Sequence, residues 1–114
     1  MSEVKKPTRY FSKKHENQVA KSTGGRKQIN SGATSFYKGD VVIDDLMLIE
    51  AKTCTKEQKC FTIQKEWIEK NRKEAFQTRK PYSAVAFNFG PNQKSYYIID
   101  ESTFQLLLEK IKEL

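Results

Sequence analysis

Two short apolar runs on either side of an acidic turn, within residues 38–52, constrain the fold of this chain most strongly. Residues 41–43 (VVI) and 46–49 (LMLI) flank Asp44 and Asp45. Such runs, rich in β-branched residues and broken by turn residues, predict two strands joined as an antiparallel β-hairpin. The register of this hairpin then decides where its remaining polar side chains lie.

Asp40 begins the first strand, while Glu50 and Lys52 end the second. A three-residue loop (residues 44–46) pairs positions whose numbers sum to 90, which sets Asp40 opposite Glu50 with Lys52 on the same face. A two-residue loop shifts the register by one and sends Asp40 and Glu50 to opposite faces. In the first register the two carboxylates and the lysine describe a divalent-metal site.

Length and composition favour a single domain. The chain has 114 residues, of which 37% are hydrophobic and 31% charged, enough for one core of an α/β or α+β protein. It has no apolar run long enough to span a membrane and no apolar segment near its N-terminus, so we expect a cytoplasmic protein with no membrane partner. Cys54 and Cys60 lack a zinc spacing, and with His15 the single histidine they are predicted to be reduced thiols without chemistry.

The positive charge is concentrated at the N-terminal end. Residues 1–38 contain nine basic and two acidic residues, whereas the rest of the chain is balanced, and the total is +7. A basic arm on a neutral domain is typical of a protein that binds a polyanion, and nucleic acid is the expected partner. The alternative is a solvated tail. We predict a flexible basic arm over residues 1–11 and a single domain over residues 12–114.

The remaining pattern predicts helices and strands on both sides of the hairpin. A first helix is expected from Ser12, a good N-cap, to about Ser22, and residues 26–30 form a short strand or an extended loop. A second helix is expected over residues 62–78, with a buried stripe. The members of this stripe are Ile63, Trp67, Ile68, Asn71 and Ala75.

Two further strands, over residues 82–89 and 95–99, precede a last helix. Ser102 and Gln105 have the spacing of a capping box at the start of that helix. Its apolar residues at helical spacing are Phe104, Leu107, Leu108, Ile111 and Leu114. The predicted fold is α/β, with the order α-β-β-β-α-β-β-α and a mixed sheet of four or five strands flanked by helices.

Several of these segments together resemble a known family. Gly39-Asp40, followed on the next strand by Glu50-Ala51-Lys52, is similar to the motif of the PD-(D/E)xK nuclease superfamily. Within it the chain resembles the small Holliday-junction resolvases of archaea and phages. The supporting segments are Glu16 in the first helix, Ser31-Gly32-Ala33 before the motif and Ile63–Ala75 after it. Gly39 stands where the superfamily name has proline, a substitution that such resolvases also show.

The resemblance implies a restriction-endonuclease-like core and a metal-dependent endonuclease. Asp40, Glu50 and the Ala51 carbonyl would bind Mg²⁺, for which Mn²⁺ can substitute, and Glu16 would add an oxygen directly or through water. Lys52 would orient the attacking water or stabilise charge on the scissile phosphate. Hydrolysis would leave a 5′-phosphate and a 3′-hydroxyl. Either Gln64 or Lys65 would assist Lys52 or a phosphate from the start of the second helix.

The implied partner is branched DNA, specifically a four-way junction, cut in pairs by a homodimer in the cytoplasm (the host cytoplasm for a phage protein). The candidate DNA contacts are Lys13, Lys14, Arg26, Lys27, Ser31, Gly32, Lys38 and Lys65. One alternative is a nuclease of the same fold that acts on flap, linear or damaged DNA, and another is a non-catalytic DNA-binding module. In a purely structural alternative, Asp40 is a turn residue and Glu50–Lys52 an ion pair on an exposed sheet edge.

Overall fold

The computed structural model describes residues 8–28 and 40–114 and has the predicted order of elements. The elements are α1 (Thr8–Thr23), β1 (Arg26–Lys27), β2 (Val41–Ile43), β3 (Met47–Lys52), α2 (Lys65–Gln77), β4 (Tyr82–Phe87), β5 (Tyr96–Ile98) and α3 (Glu101–Lys112). The candidate residues Ser31, Gly32 and Lys38, the motif residue Gly39 and residues 1–7 of the predicted arm lie outside the described residues.

The five strands form one mixed sheet in the order β1-β2-β3-β4-β5. Strands β3 and β4 are parallel, and the other neighbours are antiparallel. The parallel pair requires a crossover connection, which α2 provides. The α/β class and the mixed five-stranded sheet with helices are therefore confirmed, and β3 is the central strand.

The β2–β3 hairpin has the register of the three-residue loop. Val41 pairs with Ile49, and Ile43 pairs with Met47, so that paired numbers sum to 90 as predicted. The loop closes with a hydrogen bond of 2.9 Å from Leu46 N to Ile43 O. Asp44 has a φ of 43°, a left-handed conformation that aspartate tolerates better than most residues do.

Alternation along the strands divides the core between the two faces of the sheet. On one face, Val19 of α1 packs with Val41, Ile49, Ala84 and Ala86. On the other face, Ala75 of α2 packs with Val42 and Leu48. Side chains at even positions of β3, Glu50 and Lys52 included, therefore point to the α2 side.

The connection from α1 into the sheet is tight at Gly25. A Cβ atom at this position would lie 2.9 Å from Val41 Cγ1 and 2.9 Å from Val42 O, which real Cβ atoms do not tolerate. At the other end of the sheet, α1 is tied to the segment before β5, because His15 Nε2 and Ser95 Oγ share a hydrogen bond of 2.9 Å. The first helix is thus tied to the sheet at its middle and just beyond its C-terminal end.

The first two helices differ from the predicted bounds. Helix α1 begins at Thr8 and not at Ser12, so residues 8–11 of the predicted arm are helical. Tyr10 and Phe11 pack edge to face in this first turn. Helix α2 begins at Lys65 and not at Thr62, because Gln64 is extended (φ −91°, ψ 130°), and it ends at Gln77.

The predicted capping box of the last helix is wrong. Asp100 is the N-cap of α3, and its Oδ1 accepts a hydrogen bond of 2.9 Å from Thr103 N, whereas Ser102 lies inside the first turn. Arg72 of α2 also forms an ion pair with Asp100. These contacts to the charged form hold the pKa of Asp100 well below its usual range.

The structure also bears on the two cysteines and on the length of the helices. Cys54 and Cys60 are both free thiols. Within residues 8–28 and 40–114, no helix combines the length and the apolar character that crossing a membrane requires.

Asn71 links the two parallel strands from α2, and its loss should destabilise the fold. Its buried Nδ2 donates to Leu48 O (3.1 Å) and to Ala84 O (3.0 Å). We expect Asn71→Ala to lower the free energy of unfolding by about 2–3 kcal/mol, because two buried carbonyls lose a donor. Urea unfolding measures the change, with the exposed Asn17→Ala as the control, expected within about 0.5 kcal/mol of wild type. Equal stability of the two variants would contradict the bridging role.

Candidate metal centre

Asp40 is held in place by the hairpin register. Its backbone N–H donates to Ile49 O (3.1 Å), and its Oδ2 accepts a hydrogen bond of 2.8 Å from Ala51 N. The hydrogen bond therefore holds the carboxylate against β3, at the residue that follows Glu50. Asp40 comes directly before β2, as the structural alternative held. Its side chain, however, accepts its hydrogen bond from the neighbouring strand β3.

Glu50 and Lys52 lie two residues apart on β3 and face the same side. Lys52 Nζ is 3.3 Å from Glu50 Oε1, and their side chains are only 31% and 22% exposed. Because β3 is the central strand of the sheet, this pair does not lie on an exposed sheet edge, and that part of the alternative is wrong.

Trp67 completes the surroundings of Lys52. Lys52 Nζ lies 4.7 Å from the centre of the Trp67 ring, within the range of a cation–π interaction. The prediction that Trp67 belongs to the core is only partly right, because the ring is half-buried and one face receives the ammonium group. The ring of Phe61 also packs against the Trp67 ring, and the two ring centres are 6.3 Å apart.

Burial and mutual repulsion raise the pKa of both central carboxyls. For Asp40, burial is the main cause and lifts the pKa from 3.8 to about 6, although the Ala51 hydrogen bond opposes the change. For Glu50, burial again comes first, and the charge of Asp40 adds to it. Lys52 lowers both pKa values without compensating for these effects. The positive charge of Lys52 is therefore not enough to keep the pKa values of Asp40 and Glu50 at their usual level.

Glu16 approaches the pair from α1, the helix on the other face of the sheet. Its pKa is raised by burial and by Glu50, and it is lowered by Lys27 and Lys13. Among residues 8–28 and 40–114, no three Asp, Glu, His or Cys side chains are close enough to enclose a metal ion together. Glu16 is within electrostatic range of Asp40 and Glu50.

Glu74 is a further acid that the sequence reading missed. It lies on α2 and raises the pKa of both Asp40 and Glu50. Trp67, Asn71 and Glu74 follow the spacing i, i+4, i+7, which places them along one side of the helix. This spacing could have identified Glu74, since Asn71 and Trp67 were already assigned to the side facing the sheet.

The candidates at the start of α2 lie away from Lys52. Lys65 forms an ion pair of 3.4 Å with Glu69, with both side chains mostly exposed. Gln64 is exposed at the N-cap and makes no capping hydrogen bond with its side chain. Trp67, one turn further along, is the residue of this segment that contacts the lysine.

Five of the candidate DNA contacts are described: Lys65 begins α2, and the other four lie on or just after α1. Lys13, Lys14 and Arg26 are exposed, and Lys27 is half-buried. Lys13 and Lys27 both act on the charge of Glu16, so they lie on the side of the site that α1 provides. Two cations, one on α1 and one on β1, are therefore within electrostatic range of Glu16.

No family model, curated protein or solved structure matches the chain. The resemblance of Gly39-Asp40 and Glu50-Ala51-Lys52 to a nuclease motif stays a prediction. Its interpretation depends on the geometry of the site.

The stability of the metal-free protein should depend on pH through Asp40. A carboxyl whose pKa is raised by folding stabilises the fold below its unfolded pKa, and this contribution is lost as the pH rises from about 3.8 through about 6. The loss is on the order of 3 kcal/mol. Without divalent ions, Asp40→Asn should therefore gain stability relative to wild type at pH 7.5 and little at pH 4.

Urea unfolding with a chelator at both pH values checks this expectation. His15, whose pKa is lowered by burial, acts in the opposite direction, because its contribution is lost as the pH falls. It is present in both proteins and cancels, so the difference between them reports Asp40 together with its effect on Glu50. Asp45→Asn, an exposed residue of the same hairpin, is the control. If the difference in free energy of unfolding between wild type and Asp40→Asn does not change with pH, the raised pKa of Asp40 is contradicted.

Proposed function

We propose that the protein is a metal-dependent DNA endonuclease that cuts four-way junctions. The observation that carries the proposal is the hydrogen bond of 2.8 Å from Ala51 N to Asp40 Oδ2, which holds this carboxylate against the strand that carries the Glu50–Lys52 ion pair. The mixed sheet and its order of elements support a restriction-endonuclease-like core. That arrangement would set the two acids and the lysine of the motif around one point.

The acids at this position suit a hard divalent cation. Asp40 and Glu50 are both half-buried, and Glu16 and Glu74 add further negative charge nearby. Mg²⁺ is commonly bound by one or two carboxylates and keeps several waters, so two carboxylates suffice without a cage of three acids. Asp40, Glu50 and the Ala51 carbonyl would hold the ion, with Glu16 acting through a water, and Mn²⁺ prefers the same ligands. When bound, the ion would activate water and neutralise charge on the phosphate.

Lys52 would act on the phosphate itself. Its ammonium group is held between the Glu50 carboxylate (3.3 Å) and the Trp67 ring (4.7 Å), so it is positioned before DNA arrives. A fixed cation here would orient the attacking water and stabilise the negative charge that develops as water attacks phosphorus. The bond to the 3′-oxygen breaks, which leaves a 3′-hydroxyl and a 5′-phosphate.

The charge distribution supports DNA as the polyanion. The chain carries +7, yet its most buried charges are acids, so the positive charge is available at the surface. Lys13 and Lys27 act on the charge of Glu16, and together with the exposed Lys14 and Arg26 they would bind the phosphates on either side of the cut.

A four-way junction has near two-fold symmetry and requires two cuts. We therefore include a homodimer with two equivalent sites in the proposal. The rival substrates are flap, linear and damaged DNA, which a nuclease of the same fold would cut without paired sites. The rival of another class is a DNA-binding module without catalysis, for which the basic residues along α1 would suffice.

Cleavage of defined substrates tests the proposal. With Mg²⁺ we expect symmetric nicks in a four-way junction and much weaker cutting of flap or linear duplex. Lys52→Ala and Asp40→Asn should each reduce cleavage at least about 100-fold, because each removes a group that acts on the reacting phosphate. Both should still bind the junction in a mobility-shift assay, since the phosphate contacts remain.

Lys73→Ala and Asp45→Asn are matched controls, because both residues are exposed and lie outside the site. They should cleave like wild type. Equal cutting of linear duplex would remove the junction assignment. A wild-type protein that binds DNA but is inert with Mg²⁺ and with Mn²⁺ would favour the binding module.

Trp67 should act as a positioning residue for Lys52. Trp67→Leu removes a cation–π interaction of about 1 kcal/mol, so we expect kcat to fall about fivefold with little change in KM. Trp67→Phe retains an aromatic face and should recover part of the activity. Single-turnover and steady-state cleavage, with circular dichroism as the check on folding, separate this role from a structural one. An equal loss in Trp67→Phe and Trp67→Leu would contradict it.

A further inference from the structure

The last helix presents an apolar face to solvent. Its apolar side chains at helical spacing are Phe104, Leu107, Leu108, Ile111 and, just beyond its end, Leu114, with exposed fractions from 38% to 103%. Of the residues in α3, all of which the structure describes, Thr103 is buried. The stripe that predicted a packed helix therefore faces outward. We refer to these five side chains as the α3 face.

An amphipathic helix of a globular domain normally buries such a stripe. Helix α3 is instead held at its first turn, where Asp100 caps it and pairs with Arg72 of α2. Among the helices and strands of residues 8–28 and 40–114, none packs along its length. Five clustered apolar side chains form a patch on the order of several hundred Å², the size at which patches mark interaction sites.

We propose that the α3 face binds the α3 face of a second copy of the chain, with the two helices antiparallel. Two patches of this size bury on the order of 1,000 Å² together, which reaches the lower bound for a specific interface. The contact is inferred from the exposed apolar side chains of the α3 face. Only the role of the dimer, which is to bring two sites to one junction, rests on the proposed function.

Charge favours a second copy as the occupant. The chain carries +7, so two copies repel each other over most of their surface. Residues 101–112 contain two glutamates and two lysines, which makes α3 neutral. A neutral, apolar helix on a basic protein is the surface through which two copies approach with least repulsion. Nucleic acid, the polyanion expected elsewhere on the molecule, has no charge to pair with here.

The helix dipole and the charge of the first turn favour the antiparallel orientation. Glu101 lies in the first turn, whereas Lys110 and Lys112 lie in the last turn, where Glu113 forms an ion pair of 3.8 Å with Lys110. An antiparallel pair opposes the two helix dipoles and places Glu101 of one copy near Lys112 of the other. A parallel pair would align the two dipoles and bring the two copies of Glu101 together.

Light scattering after size-exclusion chromatography tests the contact with the full chain. We expect wild type at twice the 13.3 kDa of one chain. Leu107→Glu should raise the dissociation constant at least about tenfold, because the interface would bury a charge without a partner. Circular dichroism checks that the variant keeps its helices. The matched control is Phe76→Glu, at a phenylalanine that is 82% exposed on α2, and it should stay dimeric.

A wild type that stays monomeric at high concentration would overturn the proposal. This is the result expected if residues 1–7 or 29–39 of the same chain cover the α3 face. A dimeric Leu107→Glu, or a monomeric Phe76→Glu, would place the contact elsewhere and also overturn it. These outcomes are independent of cleavage, since Asp40→Asn should be a dimer whether or not the protein is a nuclease.

Charge inversion tests the orientation. In an antiparallel pair, Glu101→Lys places a lysine beside Lys110 and Lys112 of the other copy and should weaken the dimer about two- to fivefold. Combining Glu101→Lys with Lys110→Glu and Lys112→Glu should restore it. In a parallel pair, Glu101→Lys replaces one repulsive contact by another, so an unchanged dissociation constant would overturn the antiparallel arrangement.

Discussion

The hydrogen bond from the Ala51 N–H to the Asp40 carboxylate joins the fold of this protein to its candidate site. It forms because the β2–β3 hairpin has the register in which Val41 pairs with Ile49. A one-residue slip would turn Glu50 and Lys52 to the other face and exchange the apolar residues between the two cores. The same register thus buries the core and assembles the acids, so the site cannot be rearranged without unfolding the hairpin.

The parallel pairing of β3 with β4 has a second consequence for the site. It requires a crossover helix, and α2 crosses the face on which Glu50 and Lys52 lie. Asn71 bonds the carbonyls of both strands, and the same side of the helix carries Trp67 and Glu74 toward the motif. A helix that is needed to connect the strands therefore also supplies an aromatic support and an additional acid.

The sequence pattern predicted the strands well, because burial and a period of two leave few alternatives for short apolar runs, but it left two registers open for the hairpin. It predicted the helix ends less well. Asp100 is the N-cap of α3 through a local hydrogen bond from Thr103 N, whereas its ion pair with Arg72, distant in the chain, appears in no local pattern. Likewise, helical spacing identified the stripe of α3 but not that no element of the described chain packs along it.

The sequence by itself determined the order of the elements, the alternation that places Glu50 and Lys52 on one face, and the excess of positive charge, since each depends on neighbours along the chain. Only the tertiary structure decided which groups surround Lys52, how far burial raises the pKa of Asp40, and which apolar face stays exposed. These properties depend on distances between residues far apart in the chain, and such distances exist only once the sheet and its helices have packed.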